Sequence, residues 1–312
     1  MMGIKKEKIF YSSKDNKNTI HATLWYGESP KAVVQIVHGV AEHIGRYDEF
    51  AEYLCSRGFA VVGEDHLGHG ETVSNYEDIC FFAEENGWQT VCQDILQLTK
   101  TAKERFSGLP YFLLGHSMGS FLSRTIVLDH SDEFDGLLLS GTGHQNGLII
   151  AGGTLFAKIV SHFKGPKSKS VFINAIAFGS YNKKFEPNRT RFDWLSACED
   201  VVDKYLADEK CGNMTSTGLF IDMLKGFSLI KNKKLLSKIR KDLPIYIYSG
   251  TDDPVGDMGK GVKTVFSLYK EAGVLDVTLQ LYEGYRHEMH NEENKLEVMQ
   301  NVADWIESKL QI

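Results

Sequence analysis

Ser117 lies between two glycines in the stretch LLGHSMGS, Leu113 to Ser120, directly after an apolar run that reads as a strand. A serine hydroxyl is a poor nucleophile at neutral pH. Catalysis through it requires a base to take its proton and N–H donors to hold the oxyanion formed on attack. In a strand–turn–helix elbow the backbone is tight. Gly115 and Gly119 carry no Cβ to collide there, and Ser117 is left above the carboxyl edge of a sheet. The same residues also suit an ordinary small-residue turn at a helix start. Their placement between an apolar strand and an apolar helix favours the elbow.

The base has to be a histidine brought in by another loop of the same edge. His287, in YEGYRHEMH, lies five residues beyond the last strand-like run. His290 sits at the entrance to the final helix and could equally cap it, so His287 is the candidate base. The acid should follow the strand Ile245 to Tyr248, where the chain reads SGTDDPVGD. Asp252, Asp253 and Asp257 all lie there, and each also suits turn formation beside Gly and Pro. Asp257 is expected to cap the next helix and Asp253 to orient the imidazole, with the adjacent Asp252 as its rival. The oxyanion donors should be the N–H of Met118, after the nucleophile, and the N–H of Val40, in HGVAEHIGRY, where His38 and Gly39 shape the turn.

Holding these residues at one edge requires a particular order of elements. Ala32 to Val37, Phe59 to Val62, Tyr111 to Leu114, Gly136 to Leu139 and Ile245 to Tyr248 are short apolar runs, the pattern of strands buried on both faces. Helical stretches at Tyr47 to Arg57, Trp88 to Arg105 and Met118 to His130 alternate with them, which predicts βαβ units around a mostly parallel sheet. Ile9 to Ser12 and Ile20 to Tyr26, joined by the polar KDNKN, predict an antiparallel hairpin at the start. The rhythm breaks between about Thr142 and Ile239, predicting an inserted helical cap over 142–239 on a core of 1–141 and 240–312. Within the insertion, Ser196 and Glu199 have the spacing of a capping box opening a helix through Tyr205. Leu155, Phe156, Ile159, Val160 and Phe163 share one helical face. After Pro244 a helix is predicted over Asp257 to Ala272, a strand over Val277 to Tyr282 and a last helix over Glu292 to Leu310.

Composition narrows the partners. Hydrophobic residues at 42%, charged residues at 24% and a formal charge of -6 are ordinary for a globular chain and lack the basic excess expected of a nucleic-acid binder. No run approaches the 18 apolar residues or so of a spanning helix, and the N-terminal stretch Met1 to Lys8 has no apolar segment of a secretion signal. Five cysteines, odd in number and without a CxxC, point to reduced thiols in a cytoplasmic protein.

The segments HGVAEHIGRY, EDHLGHGET, LLGHSMGS, SGTDDPVGD and YEGYRHE, in this order, resemble the monoacylglycerol lipase and lysophospholipase group of the α/β-hydrolase superfamily. The resemblance implies an eight-stranded sheet with a helical cap after the sixth strand and a serine hydrolase of lipid esters needing no cofactor. By position it implies Ser117 as nucleophile, His287 as base, and Val40 and Met118 as oxyanion donors. The acid would be Asp253, three residues after Gly250, the glycine that ends the strand. Short-chain carboxylesterase and thioesterase chemistry would use the same triad, and a catalytically inactive binding protein would usually lack one of its members.

Two other sites fail on pattern. His38, His43, His66 and His69 fall in glycine-containing loops without an HExxH, so no metal site is expected. Gly141-Thr142-Gly143 is followed by Asn146 where a dinucleotide fingerprint needs glycine. The Leu155 to Phe163 stripe is expected to pack on the core. With Lys164, Lys167 and Lys169 behind it, a mobile cap would also allow transient contact with a membrane or micelle surface.

Overall fold

A computed structural model describes residues 3–310; Met1 and Met2 of the N-terminal stretch considered above lie outside them. The chain opens with strands β1 (Lys5–Ser12) and β2 (Thr19–Tyr26), paired antiparallel as the polar turn predicts. Then follow β3 (Ala32–Val37), α1 (Asp48–Ser56), β4 (Phe59–Asp65), α2 (Gly87–Arg105), β5 (Tyr111–His116), α3 (Met118–His130) and β6 (Gly136–Ser140). Helices α4 (Gly147–Lys164), α5 (Val171–Phe178), α6 (Glu199–Ala207), α7 (Thr217–Leu229) and α8 (Lys233–Leu236) come next. The chain closes with β7 (Ile245–Gly250), α9 (Lys260–Glu271), β8 (Val277–Tyr282) and α10 (Lys295–Leu310).

The eight strands form one sheet in the order β1-β2-β4-β3-β5-β6-β7-β8, parallel from β4 onward. Every residue of β3, β4, β5, β6 and β7 is buried, because helices cover both faces of the sheet. One face carries α2, α3 and α9, the other α1 and α10. The chain leaves β3 for β4 on one side and returns to β5 on the other, so β3 and β5 flank the topological switch point, where the crevice of such sheets opens at the carboxyl ends.

Between β6 and β7 the described residues contain helices and one isolated bridge, Lys169 to Ser216, but no strand. Several expectations need correction there and beyond. The Ser196–Glu199 capping box does not form: α6 has Cys198 at its N-cap without a side-chain bond, and the Ser196 hydroxyl donates instead to Glu292 at 3.1 Å and to the Asn291 carbonyl. Asp257 does not cap α9, whose N-cap is the left-handed Gly259. The last helix starts at Lys295, because Glu292 is taken up by Ser196 and by the Ala197 and Arg286 N–H groups. The Leu155 to Phe163 stripe does not pack on the core: Leu155 is 65% exposed and Phe163 80%.

Gly119, in the first turn of α3, packs directly on β3, and a Cβ there would overlap the Val37 carbonyl oxygen. Backbone on both sides leaves nothing to yield. Gly119→Ala is therefore expected to cost at least about 3 kcal/mol, read from the urea unfolding midpoint. Gly152, inside α4, has open space where a Cβ would stand, with nothing within 4 Å. Gly152→Ala should gain about 0.5–1 kcal/mol from helix propensity.

Candidate active site

Strand β5 ends at His116, α3 begins at Met118, and Ser117 alone makes the turn, at φ 53° and ψ −121°. That conformation is one a non-glycine residue holds only when its surroundings over-determine it, at a cost of about 1–3 kcal/mol. They do so here. The Ser117 N–H donates to the Ser140 carbonyl on β6 at 3.0 Å, and the Ser120 hydroxyl and N–H donate to the Ser117 carbonyl at 2.6 and 2.9 Å. Gly115 is required for the same crossing, since a Cβ on it would meet the Gly119 carbonyl and the Ser123 hydroxyl.

His287 stands on the loop after β8 and Asp253 on the turn after β7, both essentially without solvent exposure. The imidazole Nδ1 lies 2.9 Å from Asp253 Oδ1. A carboxylate only accepts, so Nδ1 carries the proton and Nε2 keeps its lone pair. Asp253 is itself fixed by the Ser249 hydroxyl and the Val255 N–H, each donating at 2.9 Å. Burial alone would lower the His287 pKa; the Asp253 charge and hydrogen bond, aided by Glu288 and Glu42, outweigh it and hold the pKa above the ordinary histidine value. A Cβ on Gly141, at φ 57°, would stand 2.9 Å from the ring, so the loop after β6 must be glycine there. Asp252 points elsewhere, into an ion pair with Lys184, and Asp257 lies in the turn before α9. His290 is buried against Phe50, at 5.7 Å between ring centres, and neither caps the last helix nor meets Asp253.

The loop after β3 is pinned from two sides. The His66 N–H donates to His38 Nε2 at 3.1 Å, which fixes the proton on Nδ1, and Nδ1 donates to the Gly39 carbonyl at 2.7 Å. Gly39 N–H donates to Glu42 Oε1 at 2.6 Å. In a trans peptide the N–H opposes the carbonyl, so holding the Gly39 carbonyl on His38 turns the Val40 N–H the other way. Among the described residues, neither Val40 N–H nor Met118 N–H has a protein acceptor.

Val40, Ser117, Phe178 and Trp194 border two cavities at once. One, of about 230 Å³, has a largely apolar lining, with Phe178, Phe192, Trp194 and Met214, into which Glu42, Asn174, Arg191, Thr215, Glu288 and His287 bring polar groups. The other, of about 100 Å³, is bounded by Ile149, Ile150, Ile176, Phe220, Met223, Leu224 and Phe227. The two meet at Ser117.

Sequence reading missed three residues of this neighbourhood, Arg46, Glu42 and Glu288. Arg46 donates to Glu42 at 2.8 Å and to both Glu288 oxygens at 2.7 and 2.8 Å. The i,i+4 spacing of Glu42 and Arg46 was the available signal. Among the described residues one cluster of metal-type donors occurs, His43, Asp208 and Cys211. Its histidine is already committed: Gly45 N–H donates to Nδ1, which leaves the ring proton on Nε2, 2.8 Å from Asp208. Of the other loop histidines, His38 and His66 stack at 4.0 Å.

The profile of the family described as serine aminopeptidase, S33, matches residues 28–294. The monoglyceride lipase homolog of monkeypox virus is 29% identical over 280 residues, covering 89% of this chain and 90% of that protein. The monoglyceride lipase of Rattus norvegicus is 27% identical over 290 residues, 91% and 85% of the respective chains. A thermostable carboxyl esterase from Bacillus coagulans, solved with glycerol, superposes with a TM-score of 0.91 at 26% identity over 99% of this chain and 100% of that one.

The His287–Asp253 pair gives a pH signature. The folded imidazole binds its proton more tightly than the unfolded one, so the pair contributes stability below pH of about 6.5 that is lost as pH rises through the raised folded value. In Asp253→Asn the His287 ring should titrate at lower pH by NMR and this contribution should vanish. Asp252→Asn should leave both unchanged.

Proposed function

The chain belongs to the family described as serine aminopeptidase, S33, and from that premise we propose that it is a serine hydrolase of lipid carboxylic esters, acting on monoacylglycerol or lysophospholipid through an acyl-enzyme on Ser117. The observation that carries this reading is the pair of largely apolar cavities that meet at the serine, of which one also carries the polar groups of Glu42, Asn174, Arg191, Thr215 and Glu288. An acyl chain suits the lobe lined by Ile149, Ile176, Phe220 and Leu224, and a glycerol or other polar leaving group suits the polar groups of the other. Relatives named monoglyceride lipase and the superposed carboxyl esterase support the reaction class.

In this mechanism Ser117 Oγ attacks the ester carbonyl while His287 Nε2 accepts its proton. Asp253 holds the imidazole in the required tautomer and stabilises its protonated form. The carbonyl oxygen, now an anion, is received by the Val40 and Met118 N–H groups. His287 then protonates the leaving oxygen, and water reverses the sequence on the acyl-enzyme. His38 and Gly39 shape the oxyanion loop, and Gly115 and Gly119 permit the elbow.

Residues 142–239 are read as a cap over a core of 1–141 and 240–312. Its outer face supports transient contact with a lipid surface: Leu148, Leu155, Phe163, Val171 and Phe172 are each more than 60% exposed. Ile149 and Ile176 belong both to this exposed face and to the wall of the apolar lobe, which gives an acyl chain a continuous apolar route to the serine. Lys167 is paired with Asp78, and Lys169 donates to the Ile79 and Met214 carbonyls, so the contact rests mainly on apolar area, with the exposed Lys164 beside Phe163 adding a modest charge. No helix among the described residues is long and apolar enough to cross a membrane. All five cysteines are free, which fits a reducing cytoplasmic setting.

Fatty-acid release by wild type and Ser117→Ala tests the reading, on monoacylglycerols of rising chain length, lysophosphatidylcholine, a short p-nitrophenyl ester and an acyl-CoA. Ser117-dependent release favouring a medium or long acyl glycerol or lysophospholipid is expected. Activity confined to the short ester or the thioester would overturn the lipid assignment. Asp253→Asn should cut kcat by about 10⁴-fold, and Asp252→Asn far less. Replacing Leu155 and Phe163 together by Ser should weaken partition onto zwitterionic vesicles by at least about tenfold, with little dependence on salt and little change in turnover of the short ester.

A further inference from the structure

Catalysis at Ser117 needs three parts in mutual register, and only one of them is held by the sheet. The serine sits on the elbow between β5 and α3. Val40 N–H and His287 sit on loops that leave β3 and β8, strands separated in the sheet by β5, β6 and β7. A misplacement of about 1 Å between such parts can cost about 100-fold in rate. Something must tie the two loops to each other.

One buried guanidinium spans them. Arg46 donates through both terminal nitrogens to Glu288, the residue next to His287, and through Nη1 to Glu42 Oε2. The other oxygen of Glu42 accepts the Gly39 N–H at 2.6 Å and the Tyr47 hydroxyl at 3.0 Å, one peptide away from the Val40 N–H. The geometry points to Arg46, Glu42 and Glu288 as positioning residues that clamp the oxyanion loop to the loop of the base, so that the hydrogen bonds of one ion cluster set the distance between Val40 N–H and His287. This rests on the catalytic roles proposed above for those two groups.

The cluster is built for rigidity. Glu42 and Glu288 are 4% and 2% exposed, and two carboxylates face one cation, an arrangement sustained only when the remaining lone pairs are satisfied. Asn291 Nδ2 donates to Glu288 Oε2 at 2.9 Å, and the Glu288 N–H donates to the Leu195 carbonyl at 2.8 Å. The guanidinium also lies 4.8 Å above the Tyr205 ring, whose hydroxyl donates to the Ala41 carbonyl at 2.8 Å. The Gly212 N–H donates to the same carbonyl at 2.9 Å. Gly39 and Ala41, on either side of Val40, are thereby both immobilised. Only a planar, forked cation can meet both carboxylates in this way, which an ammonium cannot reproduce.

The experiment compares wild type with Glu288→Gln, Glu42→Gln, their double variant and Arg46→Lys, each confirmed folded by its thermal midpoint. The readouts are kcat and KM on the best ester and the rate at which a fluorophosphonate labels Ser117. Labelling needs the serine, the base and the oxyanion site but no particular leaving group. In each single variant kcat and the labelling rate should fall together by about 10- to 100-fold, while in Arg46→Lys, whose side chain does not line the cavity, KM changes less than about threefold. The double variant should lose little more than the worse single one, because both act through Arg46. Folded Glu288→Gln and Arg46→Lys proteins that label at the wild-type rate would overturn the clamp, as would losses that multiply in the double variant. If wild type cleaves no ester offered yet Ser117 is labelled, the substrate reading fails while the clamp is still decided by the labelling rates.

Discussion

The structure depends on how closely α3 crosses β3. Gly119 lies against the Val37 and His38 carbonyls with no room for a side chain, and this approach forces the elbow at Ser117 into its positive-φ turn. The strain is local, and the sheet offsets it: β5 is paired on both sides, to β3 and to β6, and cannot slide to relieve it. Register does the rest. Val37 pairs with Gly115, His116 with Ser140, and Ser140 with Tyr248, so the loops after β3, β5 and β6 leave the sheet at one level, and β7 runs on beside them to Gly250. A slip of one residue in any pairing would turn the side chains packed under α2, α3 and α9 toward α1 and α10, and the reverse, and move that loop out of reach.

Electrostatics then distinguishes one imidazole from its neighbours. His38, His116 and His290 are as buried as His287, and burial holds each of them below the ordinary histidine pKa, His290 at about 4. Of these four, His287 alone has a buried carboxylate on its ring nitrogen, and its pKa stands above the ordinary value. The difference is one hydrogen bond and one charge. Neutral histidines around it serve as shape: His38 fixes a carbonyl, and His116 packs at 4.7 Å against the ring of His287 without competing for its proton.

What could be read in the sequence was what is encoded locally. The elbow is legible because Gly115, Ser117 and Gly119 owe their identities to contacts within a few residues of one another and one neighbouring strand. The buried strands are legible because a sheet covered on both faces admits only apolar runs. Asp252 and Asp253 were separable only once the turn was seen to direct one inward to His287 and the other outward to Lys184. The capping box at Ser196 failed for a related reason: a tertiary partner, Glu292, 96 residues away, outcompeted the local one. Arg46 and Glu288 are 242 residues apart, and no periodicity reports such a pair.

The segment between β6 and β7 is joined unevenly to the sheet edge that carries Ser117, and this bears on how a substrate would reach the serine under the proposed function. Its α6 end is fastened through Tyr205 and Gly212 to Ala41, and through the Trp194 and Leu195 carbonyls to the N–H groups of His287 and Glu288. Its α7 is wedged against α2, where a Cβ on Gly226 would overlap the Trp88 indole. By contrast, α4 and α5 rest on a small cluster around Ile150, Ala157, Ile173, Phe220 and Leu224 and turn much of their apolar surface outward. Local opening draws on the regions with the fewest buried contacts, so the wall of the apolar lobe can yield along α4 and α5 without disturbing the ties that hold Val40 and His287. On the proposed reading, entry and chemistry would then rest on different parts of the segment between β6 and β7: the outward apolar face of α4 and α5, and the margin tied to the loops of Val40 and His287.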